Sequence, residues 1–105
     1  MALYDIGKLL RENTYPGRGI IIGMTGDGKK AAIVYFIMGR SENSRNRVFE
    51  RTGNGMRTRA YDESKLTDPS LIIYNPFLSL PGTDIITNGD QTDTVYNALL
   101  QDGTF

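Results

Sequence analysis

The sequence predicts an α+β domain built mainly on antiparallel sheet. Two apolar runs, residues 19–25 and 31–38, flank the turn signal Gly26-Asp27-Gly28-Lys29. A more polar pair, residues 47–51 and 56–61, flanks Gly53-Asn54-Gly55, a strong hairpin signal. Convincing helical periodicity is confined to the two ends. With 105 residues, 39% hydrophobic and 23% charged, the composition is that of one folded domain.

Taken in order, residues 5–13 read as a short helix, because Ile6, Leu9 and Leu10 fall at i, i+3 and i+4. Tyr15-Pro16-Gly17 ends it, since proline disfavours helix at the residue before it and Pro-Gly suits a type II turn. Residues 19–25 centre on Ile20-Ile21-Ile22, and residues 31–38 are rich in β-branched and aromatic side chains. Both strands are continuously apolar rather than alternating, so both faces of this hairpin are expected to be covered. Residues 39–46 are expected as a polar loop. In the second hairpin arginines recur at alternate positions (Arg47, Arg51, Arg57, Arg59), which predicts one basic face. Residues 62–65 allow one helical turn. Residues 70–74 and 83–87 are expected as strands separated by Pro76 and Pro81. The Asn88-Gly89-Asp90 turn leads into a helix over residues 92–101, with Val95, Ala98 and Leu99 on one face. Asp90 or Thr92 is its expected N-cap and Gly103 its stop. A sheet covered on both faces needs more than two short helices. The chain, residues 1–105, is therefore read as a single domain forming the N-terminal part of a larger one, or as a subunit completed by a homo-oligomer or a further chain segment.

The absence of cysteine and histidine removes thiol nucleophiles, zinc–thiolate sites and the commonest general base. Chemistry is left to Arg, Lys, Tyr, Asp, Glu, Ser, Thr and backbone groups. Net charge is zero, yet all twelve basic residues lie before residue 66. Six arginines fall from Arg40 to Arg59, against only Glu42 and Glu50. Such a cluster can bind phosphate or pair with the acidic second half of the same fold. Zero net charge argues against a protein that coats polyanions.

Several segments have both a simple and a functional reading. Gly17-Arg18-Gly19 is either a turn or a place where backbone and Arg18 approach a ligand. Gly26-Asp27-Gly28-Lys29-Lys30 lacks the spacing and following helix of a phosphate loop and reads as a hairpin tip. The stretch from Gly39 to Arg47 holds Arg40, Arg45 and Arg47 with two serines and two asparagines. It is either a solvated loop or an anion site at the end of a strand. Tyr74, before Asn75-Pro76, is either a tethered core phenol or a group projecting into a site. Asn88 to Asp93 either caps the last helix or contacts a ligand at its N-terminus.

Together, Gly17-Arg18, Arg40-Ser41 through Arg45-Asn46-Arg47, Ile73-Tyr74-Asn75 and the run from Thr87 to Thr94 resemble the archaeal-type IMP cyclohydrolase family and its bacterial relatives. The motifs follow the family's order over roughly its N-terminal half. The resemblance implies a fold similar to N-terminal-nucleophile hydrolases: a four-layer arrangement with two antiparallel sheets between helices, here incomplete. It implies closure of the formylated aminoimidazole carboxamide ribonucleotide to inosine monophosphate, with loss of water, in purine synthesis. By the same resemblance Arg45 and Tyr74 fall at catalytic positions, with Arg47 a competing register for the arginine. Arg18, Arg40, Asn75, Asn88 and Asp93 fall at or near substrate-lining positions. The family's catalytic glutamate, in its second half, has no counterpart here. The implied partner is a purine nucleotide with a 5′-phosphate, with no cofactor, metal, nucleic acid or membrane, in a cytoplasmic setting. The alternative reading is a non-catalytic nucleotide- or RNA-binding β domain using the Arg40 to Arg59 cluster.

Overall fold

The structure, a computed structural model, describes residues 4–70 and 72–103. Within them the fold is α+β, with two antiparallel sheets and three α-helices. Strands β1 (Arg18–Met24) and β2 (Ala31–Ile37) form a two-stranded sheet in which Ile20 lies opposite Tyr35 and Ile22 opposite Ile33. Strands β3 (Arg47–Thr52), β4 (Gly55–Ala60), β5 (Phe77–Leu80) and β6 (Thr83–Ile86) form a four-stranded meander in chain order. Helix α1 (Ile6–Glu12) begins at Asp5, whose carboxylate accepts the Lys8 N–H. Helix α2 (Glu42–Arg45) follows β2, and helix α3 (Gln91–Asp102) packs on β5 and β6. Gly103, at φ 71°, closes α3 in the left-handed conformation expected of a C-terminal glycine. Among the described residues no helix is long and apolar enough to cross a membrane.

Cross-strand pairing sorts the larger sheet into two faces. Phe49, Met56, Phe77 and Ile86 share the face turned toward Tyr35, across a cleft of about 510 Å³. The rings of Tyr35 and Phe49 meet edge to face, 5.8 Å between centroids. Leu78 and Ile85 lie on the opposite face and are buried. Ala60, Ile72 and Tyr74 are also buried among the described residues, as are Thr58, Pro76 and Thr92, with Ala60 and Thr58 on the Phe49 side of the sheet.

The outline is a slab of 44 × 43 × 20 Å, about the thickness of two packed layers. Its accessible surface is 7806 Å², whereas a folded monomer of this mass exposes roughly 5,900 Å². Much of the excess is apolar. Ile22 is 71% exposed, Met24 62% and Val34 50%, which corrects the expectation that both faces of the first hairpin are covered. Only the part of the hairpin near Tyr35 meets the larger sheet. Unbroken apolar sequence shows what a strand can bury, and the covering layer must come from elsewhere. Helix α1 repeats the pattern, with Ile6 and Leu9 exposed on its apolar stripe.

Three local expectations also change. The expected loop after β2 contains α2, because Ser41 and Ser44 form a reciprocal capping box. Residues 70–74 are not a strand: Pro69 starts a turn whose carbonyl accepts the N–H groups of Ile72 and Ile73, while Leu71 lies outside the described residues. The strand forms instead at β5, between the two prolines, and a bond from the Thr58 N–H to the Tyr74 carbonyl extends the edge of β4. Finally, the second hairpin has no uniformly basic face. Arg57 and Arg59 lie on the side of Glu50, which pairs with both at 3.4 and 2.6 Å, and Arg47 and Arg51 lie on the other.

Candidate active site

The site is built around Tyr74. Its backbone is fixed by Thr58, which is fully buried on β4. The Thr58 hydroxyl donates to the Ile72 carbonyl at 2.7 Å and accepts the Tyr74 N–H at 3.0 Å. A second buried threonine fixes the next segment. The Thr92 hydroxyl bonds that of Thr87 at 2.7 Å and reaches the Pro76 carbonyl at 3.2 Å, tying the start of α3 to the chain just past Tyr74. Asn75 Nδ2 donates to Asp93 Oδ1 at 3.0 Å across the same junction. The irregular segment carrying Tyr74 thus has its buried backbone groups partnered, as a rigid support for a functional side chain requires.

Two further side chains contact Tyr74, and a third, Arg47, interacts with it through charge. Tyr35, from β2, bonds the Tyr74 hydroxyl oxygen to oxygen at 2.5 Å. Burial pushes the Tyr35 hydroxyl above the usual tyrosine range, and its bond to Tyr74 adds to that effect. Arg18, at the start of β1, places its guanidinium 5.7 Å from the Tyr74 ring centroid and donates from Nη1 to the Asn88 carbonyl at 2.6 Å. Arg47, at the start of β3, donates from Nε to the Ser44 carbonyl at 2.7 Å. Its Nη1 is buried and makes no hydrogen bond. Burial lowers the Arg47 pKa, with neighbouring Arg18 acting in the same direction, while nearby Tyr74, Tyr35 and Tyr15 oppose it. An unpaired buried N–H of a cation is costly, and an incoming anionic or carbonyl oxygen would satisfy it.

A chain from residue 15 onward matches the family of IMP cyclohydrolase-like proteins over residues 15–105. The chain belongs to that family. Comparison with curated proteins and with solved structures gives no match. The matched span contains the whole cluster, while α1 precedes it. In this IMP cyclohydrolase-like protein the sequence-derived candidates divide into two groups. Tyr74, Asn75, Arg18, Asn88 and Asp93 are linked by the contacts above, and Arg47 interacts with Tyr74 and Arg18 through charge. Arg45 is exposed at the end of α2, and its Nε donates to the Gly39 carbonyl at 3.0 Å. Arg40 stacks on Tyr15, 4.1 Å from the ring centroid, on the Tyr15 side of Arg47.

Sequence reasoning did not single out Tyr35 or Thr58, and it read Thr92 as a candidate helix cap. Tyr35 left a trace: a phenol inside the apolar run from Ala31 to Ile37 must find a partner for its hydroxyl when buried. The bridging role of the two threonines left none, because a buried threonine joining two backbone segments has the same local pattern as any strand or helix threonine.

Proposed function

We propose that this chain binds a purine nucleotide and carries groups for the ring closure that yields inosine monophosphate. The observation that carries the reading is the buried, unpartnered Arg47 Nη1, on a guanidinium whose charge interacts with Tyr74, in a member of the IMP cyclohydrolase-like family. In the reaction the carboxamide nitrogen attacks the formyl carbon and a carbon–nitrogen bond forms. The formyl oxygen then leaves as water, carrying one proton from the carboxamide nitrogen and one from the formamide nitrogen. The chemistry therefore needs a group that stabilises charge on that oxygen and a group that delivers a proton to it. Arg47 supplies the first and Tyr74, a phenol with an O–H to give, the second. Arg18, over the Tyr74 ring, and Arg40, over the Tyr15 ring, suit the phosphate end of the nucleotide. Arg45, exposed beside them, serves in this reading as a further anion contact.

The test is direct. The 105-residue chain is incubated with the formylated ribonucleotide, and inosine monophosphate is measured by chromatography; binding of inosine monophosphate is measured by calorimetry. Ring closure that falls by on the order of 10²–10⁴ in Tyr74→Phe, with product affinity nearly kept, is the expected result. Arg47→Ala should weaken binding by roughly 1.5–3 kcal/mol, the worth of a charged hydrogen bond. Neither turnover nor binding by the wild-type chain, or wild-type turnover in Tyr74→Phe, would overturn the assignment.

A further inference from the structure

Tyr35 is chemically out of place. Its strand neighbours are Ile33, Val34, Phe36 and Ile37, and a phenylalanine would pack against Phe49 equally well. The hydroxyl must therefore have a use other than filling space. Its partner is the hydroxyl of Tyr74, on the irregular segment pinned to the edge of the larger sheet. Two phenols that share one hydrogen bond have two protons between them, and only one lies in the bond. If Tyr74 donated, its proton would be turned inward and withheld from a ligand. If Tyr35 donates, the Tyr74 proton is free to point away from Tyr35, toward a ligand held by neighbouring cations such as Arg18.

We propose that Tyr35 is the positioning residue for Tyr74: it donates its O–H to the Tyr74 oxygen and so directs the Tyr74 proton toward the ligand side of the site. The inference rests on the reading of Tyr74 as a proton donor given above. Burial favours the neutral, proton-bearing form of Tyr35, in keeping with the donor role. The bond also joins β2 to the segment that follows the larger sheet's first hairpin, so the orientation of Tyr74 depends on the first hairpin being seated.

Tyr35→Phe separates positioning from packing, because it removes one oxygen and keeps the ring against Phe49. In the full 105-residue chain, kcat should fall roughly 3- to 10-fold, the worth of one neutral hydrogen bond, while KM and inosine monophosphate affinity stay within about 2-fold. Unchanged kcat, or a loss seen equally in KM, would overturn the proposal. A second measurement does not need turnover. With tyrosine labelled at the ζ-carbon, the Tyr35 resonance, assigned by its loss in Tyr35→Phe, should resist high pH in the wild type. It should titrate at lower pH in Tyr74→Phe. A Tyr35 resonance indifferent to that substitution would show that the two hydroxyls are not bonded. If the wild-type chain lacks turnover, the ring-closing reading fails, and the titration still decides the Tyr35–Tyr74 bond.

Discussion

Thr58→Val tests whether the Tyr74 segment is held as described. The replacement keeps shape and burial and removes one hydroxyl. Two backbone groups then lose their partners: the Ile72 carbonyl, bonded at 2.7 Å, and the Tyr74 N–H, bonded at 3.0 Å. Ile72 is 5% and Tyr74 9% exposed, so water cannot readily substitute. The bond from the Thr58 N–H to the Tyr74 carbonyl survives, because it belongs to the backbone. A buried unsatisfied polar group costs about 1–3 kcal/mol, so two should cost on the order of 2–6 kcal/mol. For a domain of this size that corresponds to a fall in Tm of on the order of 10–25 °C. Thr58→Ser is the control: it keeps the hydroxyl, loses one methyl, and should cost only about 1 kcal/mol. Calorimetric or circular-dichroism melting of the three proteins measures both. A valine variant as stable as the serine variant would refute the idea that this hydroxyl anchors Tyr74.

Three other outcomes follow from the same structure. A Cβ on Gly55 would run into the Phe77 carbonyl, where β4 and β5 approach closely, whereas one on Gly53 meets nothing within 4 Å; Gly55→Ala should therefore destabilise by about 1–3 kcal/mol and Gly53→Ala far less in denaturant titrations. Glu50→Gln removes the partner of Arg57 and Arg59, but these pairs are 40–49% exposed, so stability should change by under about 1 kcal/mol and nucleotide binding should be unaffected. The Asp62 carboxylate is held below the ordinary carboxylate range by the Ser64 hydroxyl and N–H. Because its folded pKa is depressed, its stabilising effect is present above the unfolded value near 3.9 and is lost as pH falls through the lower folded value; a carboxyl-carbon titration should show this shift, and Ser64→Ala should reverse most of it.

The elements with their own local signal were legible in the sequence. Both hairpins announced themselves through Gly-Asp-Gly-Lys and Gly-Asn-Gly, α1 through its apolar stripe, and α3 through Gly103. What the sequence concealed depends on distant partners. The segment before Asn75 is apolar enough to be a strand, but Pro69 and the Thr58 side chain draw its hydrogen bonds away from a ladder. Arginines at alternate positions suggested a basic face, yet hairpin register sets Glu50 between Arg57 and Arg59 and turns Arg47 toward the tyrosines. For the same reason sequence left Arg45 and Arg47 as competing registers. Two residues apart, they differ in structure because Arg45 ends α2 and reaches back to Gly39, whereas Arg47 begins a strand that carries it inward.

The site is assembled across a seam. Arg18 and Tyr35 belong to the two-stranded sheet, whereas Arg47 begins the larger sheet and Tyr74 is pinned to its edge. Within each side the positions are set by ladders and buried threonines. Across the seam the links are fewer: Tyr35 with Tyr74, Tyr35 with Phe49, and Arg18 with the Asn88 carbonyl and the Tyr74 ring. Beyond Tyr35 the two sheets diverge around the cleft, and the hairpin's apolar residues become exposed. A seam with so little buried area has a small free energy of docking, because hydrophobic stabilisation scales with the area removed from water. An anion that touched Arg18 on one side and Arg47 on the other would contact only the seated arrangement fully, and would favour it by its differential affinity. In the proposed reading, ligand binding and completion of the Tyr35–Tyr74 pair are coupled: Arg18 and Arg47, the cations it assigns to an anionic ligand, belong to opposite sides of the joint that aligns the phenols.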